Sequence, residues 1–371
     1  VASADLDAVF EAGVTPAEVA AQFDGPTLRR LAPHLDESAA HDVARLLADP
    51  RVARMLDETW QTPPYGEPML AETLVRQLMQ HPDLARMILT TPELANSLTA
   101  RPLTLHHLAA HHQAIDVLGS VLDDIAERGA GVFAADDGSV EATPLTEEQR
   151  DISDSFTGID DLAVQPGFDL SRKSDPLYRQ RYLDWLYQEA VVAQAEVTAL
   201  AERLASRAGE GATAKPRPGP KDRQRAEDKV IKYGSDVSLL TDLAAAKVVF
   251  TRLQDLYQAL RQLQSEPGVR VVEFEDRFIS PQASGYRDVQ MMLRTANGHV
   301  AEFRLHLAAL DEVATWEHAL YKVRRDLKGI ADQDGRGMSS MESALRNGIL
   351  KQERQHFWVA LRRTLGRVKD E

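Results

Sequence analysis

The sequence predicts an α+β fold: a domain with one mixed β-sheet flanked by helices, preceded by an all-α helical domain. Three observations carry that expectation. The first third spaces apolar residues three and four apart behind Thr, Pro or Asp at helix starts. A stretch rich in Gly, Ala, Asp and Thr then breaks the periodicity. After Lys229 the texture turns to short β-branched or alternating runs between helical segments. The expected organisation is therefore an all-α domain over 1–128, a linker over 129–155, and the sheet domain with C-terminal helices over 156–371.

The elements follow in order. "TPAEVAAQF", "PTLRRLAPHL" and "DESAAHDVARLLA" read as short helices. "DPRVARML", "HPDLARMI" and "TPELANSL" form a weak repeat, with Pro50, Pro82, Pro92 and Pro102 suited to first-turn positions. Pro176 behind Ser174 or Asp175 opens a long helix through Arg207, and Ser206 to Arg225 reads as a loop. "AKVVF" and "VRVVEFE" are strands around the helix "RLQDLYQALRQLQ". "RDVQMMLR" and "HVAEFRLHL" form a hairpin around Asn297-Gly298. "DEVATWEHALYKVRRDL" and one or two further helices end the chain.

Composition narrows the function classes. The 371 residues include no cysteine, which excludes disulfides, thiolate metal sites and a Cys nucleophile. A net charge of −14 opposes general DNA binding. No apolar run is long enough for a membrane span, and the N-terminus lacks the pattern of a signal peptide. The chain starts at Val, consistent with a piece of something longer.

Four features carry chemistry. A basic run comprises Lys215, Arg217, Lys221, Arg223, Arg225, Lys229 and Lys232; Lys221, Arg225 and Lys229 share a face if helical, which suits a triphosphate. A solvated charged face is the plain alternative. Asp242 precedes a buried strand that carries Lys247; a carboxylate there either holds Mg²⁺ or caps a turn. In "AEFRLHL", alternation puts Glu302, Arg304 and His306 on one face and the apolar residues on the other. The fourth is "SGYRDVQ". A strict two-residue hairpin loop would mix polar and apolar residues on each face. An odd loop, Ala296-Asn297-Gly298, pairs Glu302 with Met292, Arg304 with Gln290 and His306 with Asp288, so Tyr286, Asp288 and Gln290 join the polar face. His107 and His111 have metal-pair spacing but lack a third ligand nearby.

The basic run, the "D-L-x-x-x-K" at the strand edge, the "G-Y" strand and the strand opening with Glu resemble the synthetase domain of RelA/SpoT-type alarmone enzymes. The resemblance covers roughly Ser174 to Arg325. It implies a nucleotidyltransferase-like fold and Mg²⁺-dependent transfer of pyrophosphate from ATP to a ribose 3′-hydroxyl. The acceptor is usually GDP or GTP; some toxin relatives use adenine nucleotides or the 3′ end of tRNA. By resemblance, Lys221, Arg223, Arg225, Lys229 and Lys247 bind ATP. Asp242 and Glu302 are catalytic and hold Mg²⁺. Tyr286 stacks on the acceptor base, with Asp288, Gln290, Arg304 and His306 around it. The helix "WEHALYKVRR", with His318, Tyr321 and Arg324, closes the domain in several relatives.

This sequence departs from the family at Gln290, usually His; Arg304, usually Gln; Arg225, usually Ser; and Gly219, where Arg is common. The expected protein is an ATP:nucleotide pyrophosphokinase acting as a growth-inhibiting bacterial toxin or effector. The alternatives are a tRNA 3′-end pyrophosphokinase and a non-catalytic nucleotide sensor. Expected partners are ATP, an acceptor nucleotide, and an immunity, antitoxin or delivery protein contacting the N-terminal helices. The expected place of action is the cytoplasm, reached by secretion or delivery if the chain is part of a longer protein.

Overall fold

The computed structural model describes residues 81–366, except 135–137, 158, 160, 161, 222 and 269, together with scattered positions from Leu46 to Gln80. The first three helices read from the sequence, and the first copy of the weak repeat apart from isolated positions, lie outside the described residues. The described chain forms two units: residues up to Gly138 with Thr315–Glu353, and Ser139–Ala314 with Arg354–Glu371. The expected divisions lay instead at 128 and 156.

In the first unit, α1 (Pro82–Thr90), α2 (Pro92–Thr99) and α3 (Pro102–Ala109) each carry Pro in the first turn. The ring presets φ, and its missing N–H is one the helix start leaves unpaired anyway. α4 (His112–Arg128) follows and stops at Gly129, whose φ is +81°. Residues 315–353 of this unit come from α9 (Ala308–Gln333) and α10 (Ser340–Gly366). Arg324 bonds Glu317 at 3.3 Å and Glu353 at 2.9 Å. Burial lifts the Glu317 carboxyl to about 6, against the pull of Arg324. The His107–His111 spacing does not build a metal site: His107 Nδ1 lies 2.6 Å from Lys322 Nζ.

The second unit is built on a five-stranded mixed sheet of order β1-β2-β5-β4-β3. The strands are β1 (Ala212–Pro216), β2 (Ala245–Phe250), β3 (Arg270–Asp276), β4 (Val289–Arg294) and β5 (Val300–Leu307). β2 and β5 run parallel; the other neighbours are antiparallel. Two differences from the sequence reading stand out. The expected loop from Ser206 contains β1, an edge strand whose closing Pro216 is tolerated only because its other side is unpaired. The expected linker contains α5 (Glu147–Asp154), opened by a reciprocal capping box between Thr146 and Gln149.

The long helix α6 (Pro176–Ala208) begins as read: the Asp175 carboxylate accepts from the N–H groups of Leu177 and Tyr178 at 3.0 and 3.1 Å. Its apolar stripe, Ala193, Val197, Leu200 and Leu204, packs with α8 (Leu253–Leu263) and Phe357 of α10. They cover one sheet face through Val248, Met291, Phe303 and Leu305. The cost of ordering the sheet is met mainly on this face, which leaves the other free for polar side chains.

Candidate active site

The polar face follows from strand register. Lys215 of β1 lies opposite Lys247 of β2, Lys247 beside Arg304 of β5, Arg304 opposite Gln290 of β4, and Gln290 opposite Glu275 of β3. Direct cross-strand neighbours share a face, so one polar row crosses the whole sheet. Met292 pairs with Glu302 and Gln290 with Arg304, the register expected for the three-residue loop.

At one end of this face sits Asp242. Two residues set its surroundings: Lys221, just before α7 (Arg223–Lys232), and Lys229 within it. Their ammonium groups reach Asp242 Oδ2 at 2.5 and 2.9 Å. Burial alone would raise this carboxyl; Lys221 and Lys229 outweigh it and hold it below the ordinary carboxylate range. The other oxygen, Oδ1, is buried without a hydrogen-bond partner. Such an atom is expensive unless something fills the site.

Glu302 flanks the same strand. Its N–H donates to Ala244 O at 3.1 Å, and it stands in register with Ala245, three residues past Asp242. Its Oε2 accepts from Arg304 at 3.1 Å. The pair fits Mg²⁺, which takes one or two carboxylates and completes its shell with water and phosphate oxygens. Among the described residues no group of three or more Asp, Glu or His could cage a metal alone.

Towards β3 the face closes on itself. Gly285 has φ +81°, and a Cβ there would meet Arg354 Cα at 3.1 Å, so the turn before Tyr286 needs glycine. The Tyr286 ring is half-buried, edge-on to His306 and Phe357 at centroid distances of 5.4 and 5.7 Å. Its hydroxyl donates to Asp288 Oδ2 at 2.7 Å and accepts from Arg304 at 3.2 Å. His306 Nε2 lies 2.9 Å from the same oxygen. Asp288 Oδ1 accepts from Arg277 at 2.8 Å. Burial, then Asp288, pushes the Tyr286 hydroxyl far above its ordinary value, and burial lowers the His306 ring against the pull of Asp288 and Asp311.

Of the other sequence-named residues, Asp288 is fully buried and His306 nearly so; Asp288 accepts from Tyr286 and Arg304, and His306 lies beside the Tyr286 hydroxyl. Arg223 is taken up by Asp184 and Glu227, at 2.7 and 2.8 Å, rather than by the Asp242 cluster. Lys247 is drawn to Asp311, whose other oxygen takes Lys215 at 3.0 Å. Gln290 is half-buried on the same face as Tyr286. For Arg225 only the helical backbone is described.

The sequence reading missed Arg277 and Asp311; Lys215 and Arg217 stood in its basic run, without their partners Asp311 and the Asp242 carbonyl. Arg217 donates to the Asp242 carbonyl at 2.6 Å. Asp311 holds both lysines of the central row, and burial, which would raise its carboxyl, is outweighed by them. The available signals were the "TAK" alternation of β1 and an acid in the first turn after β5.

Residues 219–326 match the family model described as a region found in RelA / SpoT proteins. The match covers less than a third of the chain and supports a RelA/SpoT-type domain there. No curated protein matches the chain. Among solved structures, the small alarmone synthetase 2 from Bacillus subtilis is 17% identical, with a TM-score of 0.32 over 54% of this chain and 98% of that one. The complex of the Type VI effector Tas1 with its immunity protein gives 20% identity and a TM-score of 0.35, over 48% and 96%. The small alarmone synthetase 1 from Bacillus subtilis bound to its product pppGpp gives 17% and 0.32, over 42% and 94%. These likenesses are too loose to transfer residue roles. No helix among the described residues is long and apolar enough to cross a membrane.

Proposed function

We propose that this chain transfers pyrophosphate from ATP to the 3′-hydroxyl of a nucleotide, GDP/GTP or ADP/ATP, and that it does so as a growth-inhibiting effector in the cytoplasm of a target cell. The observation that carries the reading is the convergence of Lys221 and Lys229 on Asp242, whose second oxygen is buried and unpartnered beside the Glu302 strand. The RelA/SpoT-type match over 219–326 supports the reaction class.

In this reading Asp242 and Glu302 would hold Mg²⁺, which when bound would offset charge on the ATP phosphates. Lys221 and Lys229 leave Asp242 to bind those phosphates, with Arg225 of the same helix as a further cation. Lys215 and Lys247, set by Asp311, present positive charge beside Arg304. Tyr286 offers its ring to the acceptor base, held by Asp288, Arg304 and His306. Glu302 takes the proton of the acceptor 3′-hydroxyl. The new bond joins that oxygen to the ATP β-phosphorus; the bond from the β-phosphorus to the α,β-bridging oxygen breaks, and AMP leaves. The protein contributes positioning and fixed charge, as is general for phosphoryl transfer.

The test is acceptor profiling. Labelled ATP and Mg²⁺ are incubated with GDP, GTP, ADP, ATP or tRNA in turn. AMP release that depends on a nucleotide acceptor and falls away in Glu302→Ala supports the reading. Release no greater than in Glu302→Ala with every acceptor contradicts it. Release with tRNA alone contradicts the nucleotide acceptor.

A further inference from the structure

Both candidate metal carboxylates are already engaged by the protein's own cations. Asp242 Oδ2 takes Lys221 and Lys229, and Glu302 Oε2 takes Arg304. Two cations face the one Asp242 carboxylate, which leaves that end of the cluster net positive; Arg304 is shared between Glu302 and Asp288. The cluster is largely shielded from water, where like charges repel more strongly than in bulk solvent. A bare divalent cation meets that repulsion and a ligand with one oxygen occupied. A triphosphate meets the opposite field, and its oxygens outnumber the single oxygen the lysines share.

The backbone of Lys221 is hydrogen-bonded through both its own groups. Its N–H donates to Leu243 O at 2.9 Å, and its carbonyl accepts from the Tyr187 hydroxyl at 2.6 Å. Lys229 sits within a helix. Exchange of partners therefore needs only side-chain rotation, which is fast.

We propose that Lys221 and Lys229 bar a divalent cation from Asp242 until a nucleoside triphosphate draws their ammonium groups away, so that cation and nucleotide load together. This rests on the reading of Asp242 and Glu302 as the metal pair, but not on the transfer reaction.

The probe is Mn²⁺, followed by the loss of its free paramagnetic resonance signal, on the full chain with and without α,β-methylene ATP. The wild type is expected to bind Mn²⁺ at least about tenfold more tightly with the analogue than alone, after correction for Mn²⁺ held by the analogue itself. The Lys221→Met/Lys229→Met variant is expected to bind Mn²⁺ alone at least about tenfold more tightly than the wild type, and adding Asp242→Asn should abolish that gain. The single lysine variants should lie between, which guards against a double variant that fails to fold. Equal Mn²⁺ affinity of the wild type with and without analogue would overturn the proposal. So would folded lysine variants that bind no better than the wild type. Absence of transfer activity with the Mn²⁺ pattern intact would sink the reaction and support the loading rule.

Discussion

Asp242 and Asp288 are two buried carboxylates in the same unit, and their surroundings treat them in opposite ways. Asp242 has two lysines on one oxygen and nothing on the other. Asp288 has Arg277 on one oxygen, and Tyr286 and Arg304 on the other. The first is an incomplete shell held by two part-exposed lysines. The second has both oxygens paired and holds an aromatic ring, although Nε of Arg277 and of Arg304 is buried without a partner. One end of the polar face thus leaves a carboxylate oxygen open, and the other pairs both.

The largest effects should come from the open end. Asp242→Asn or Glu302→Ala should cut AMP release by about 10³-fold in a steady-state assay, because each removes charge stabilisation aimed at the reacting phosphates, and Asp242→Asn should cost less stability than Asp288→Asn, since Lys221 and Lys229 are part-exposed. A large stability loss in Asp242→Asn would make it a structural carboxylate like Asp288.

The closed end should break the other way. Asp288→Asn leaves Arg277 and Arg304 without their shared counter-charge, and chemical denaturation should register a loss of about 3–5 kcal/mol. Tyr286→Phe and Tyr286→Ala separate ring from hydroxyl. Phe should cost stability by about 1–3 kcal/mol through unpaired buried partners and keep the acceptor KM. Ala should also raise that KM, by the roughly 1–3 kcal/mol that base stacking supplies. An unchanged KM in Tyr286→Ala would remove the platform role.

Acid should separate the network's frame from its ligands. His299, at the turn joining β4 to β5, is buried, and burial lowers its ring from an ordinary 6.5 to about 4. A depressed value means the folded state prefers the neutral ring. Stability is therefore unaffected above pH 6.5 and lost as pH falls towards 4, by up to about 3 kcal/mol. Denaturation midpoints between pH 7 and 4 check this, and His299→Gln should flatten the slope. The smallest effect belongs to Arg223→Ala: its pairs with Asp184 and Glu227 are partly exposed, so stability should change by about 1 kcal/mol or less. The ATP KM should stay put, and a tenfold rise would return Arg223 to the phosphate site.

The sequence was most legible where polarity segregates. The β4–β5 register could be read because only an odd loop puts Glu302, Arg304 and His306 with Tyr286 and Asp288. The start of α6 was legible because Asp175-Pro176 is a local signal. Depth was not: alternation assigns Asp288 and His306 to a face but says nothing of how far into the protein that face lies. β1 hid behind Pro216 and the Gly/Pro residues after it, and α5 hid inside a polar stretch despite its Thr-Glu-Glu-Gln cap. Asp311 was invisible because its partners Lys215 and Lys247 are distant in sequence, and only the register brings them together.

The central claim is that the half-filled Asp242 site moves a pyrophosphate group. Phosphorus NMR of the protein with Mg²⁺, ATP and a purine nucleotide acceptor reads this directly. The account predicts equimolar AMP and a 3′-diphosphorylated acceptor, both absent with Glu302→Ala. ADP or orthophosphate as the sole product, or AMP that persists unchanged in Glu302→Ala, would contradict it.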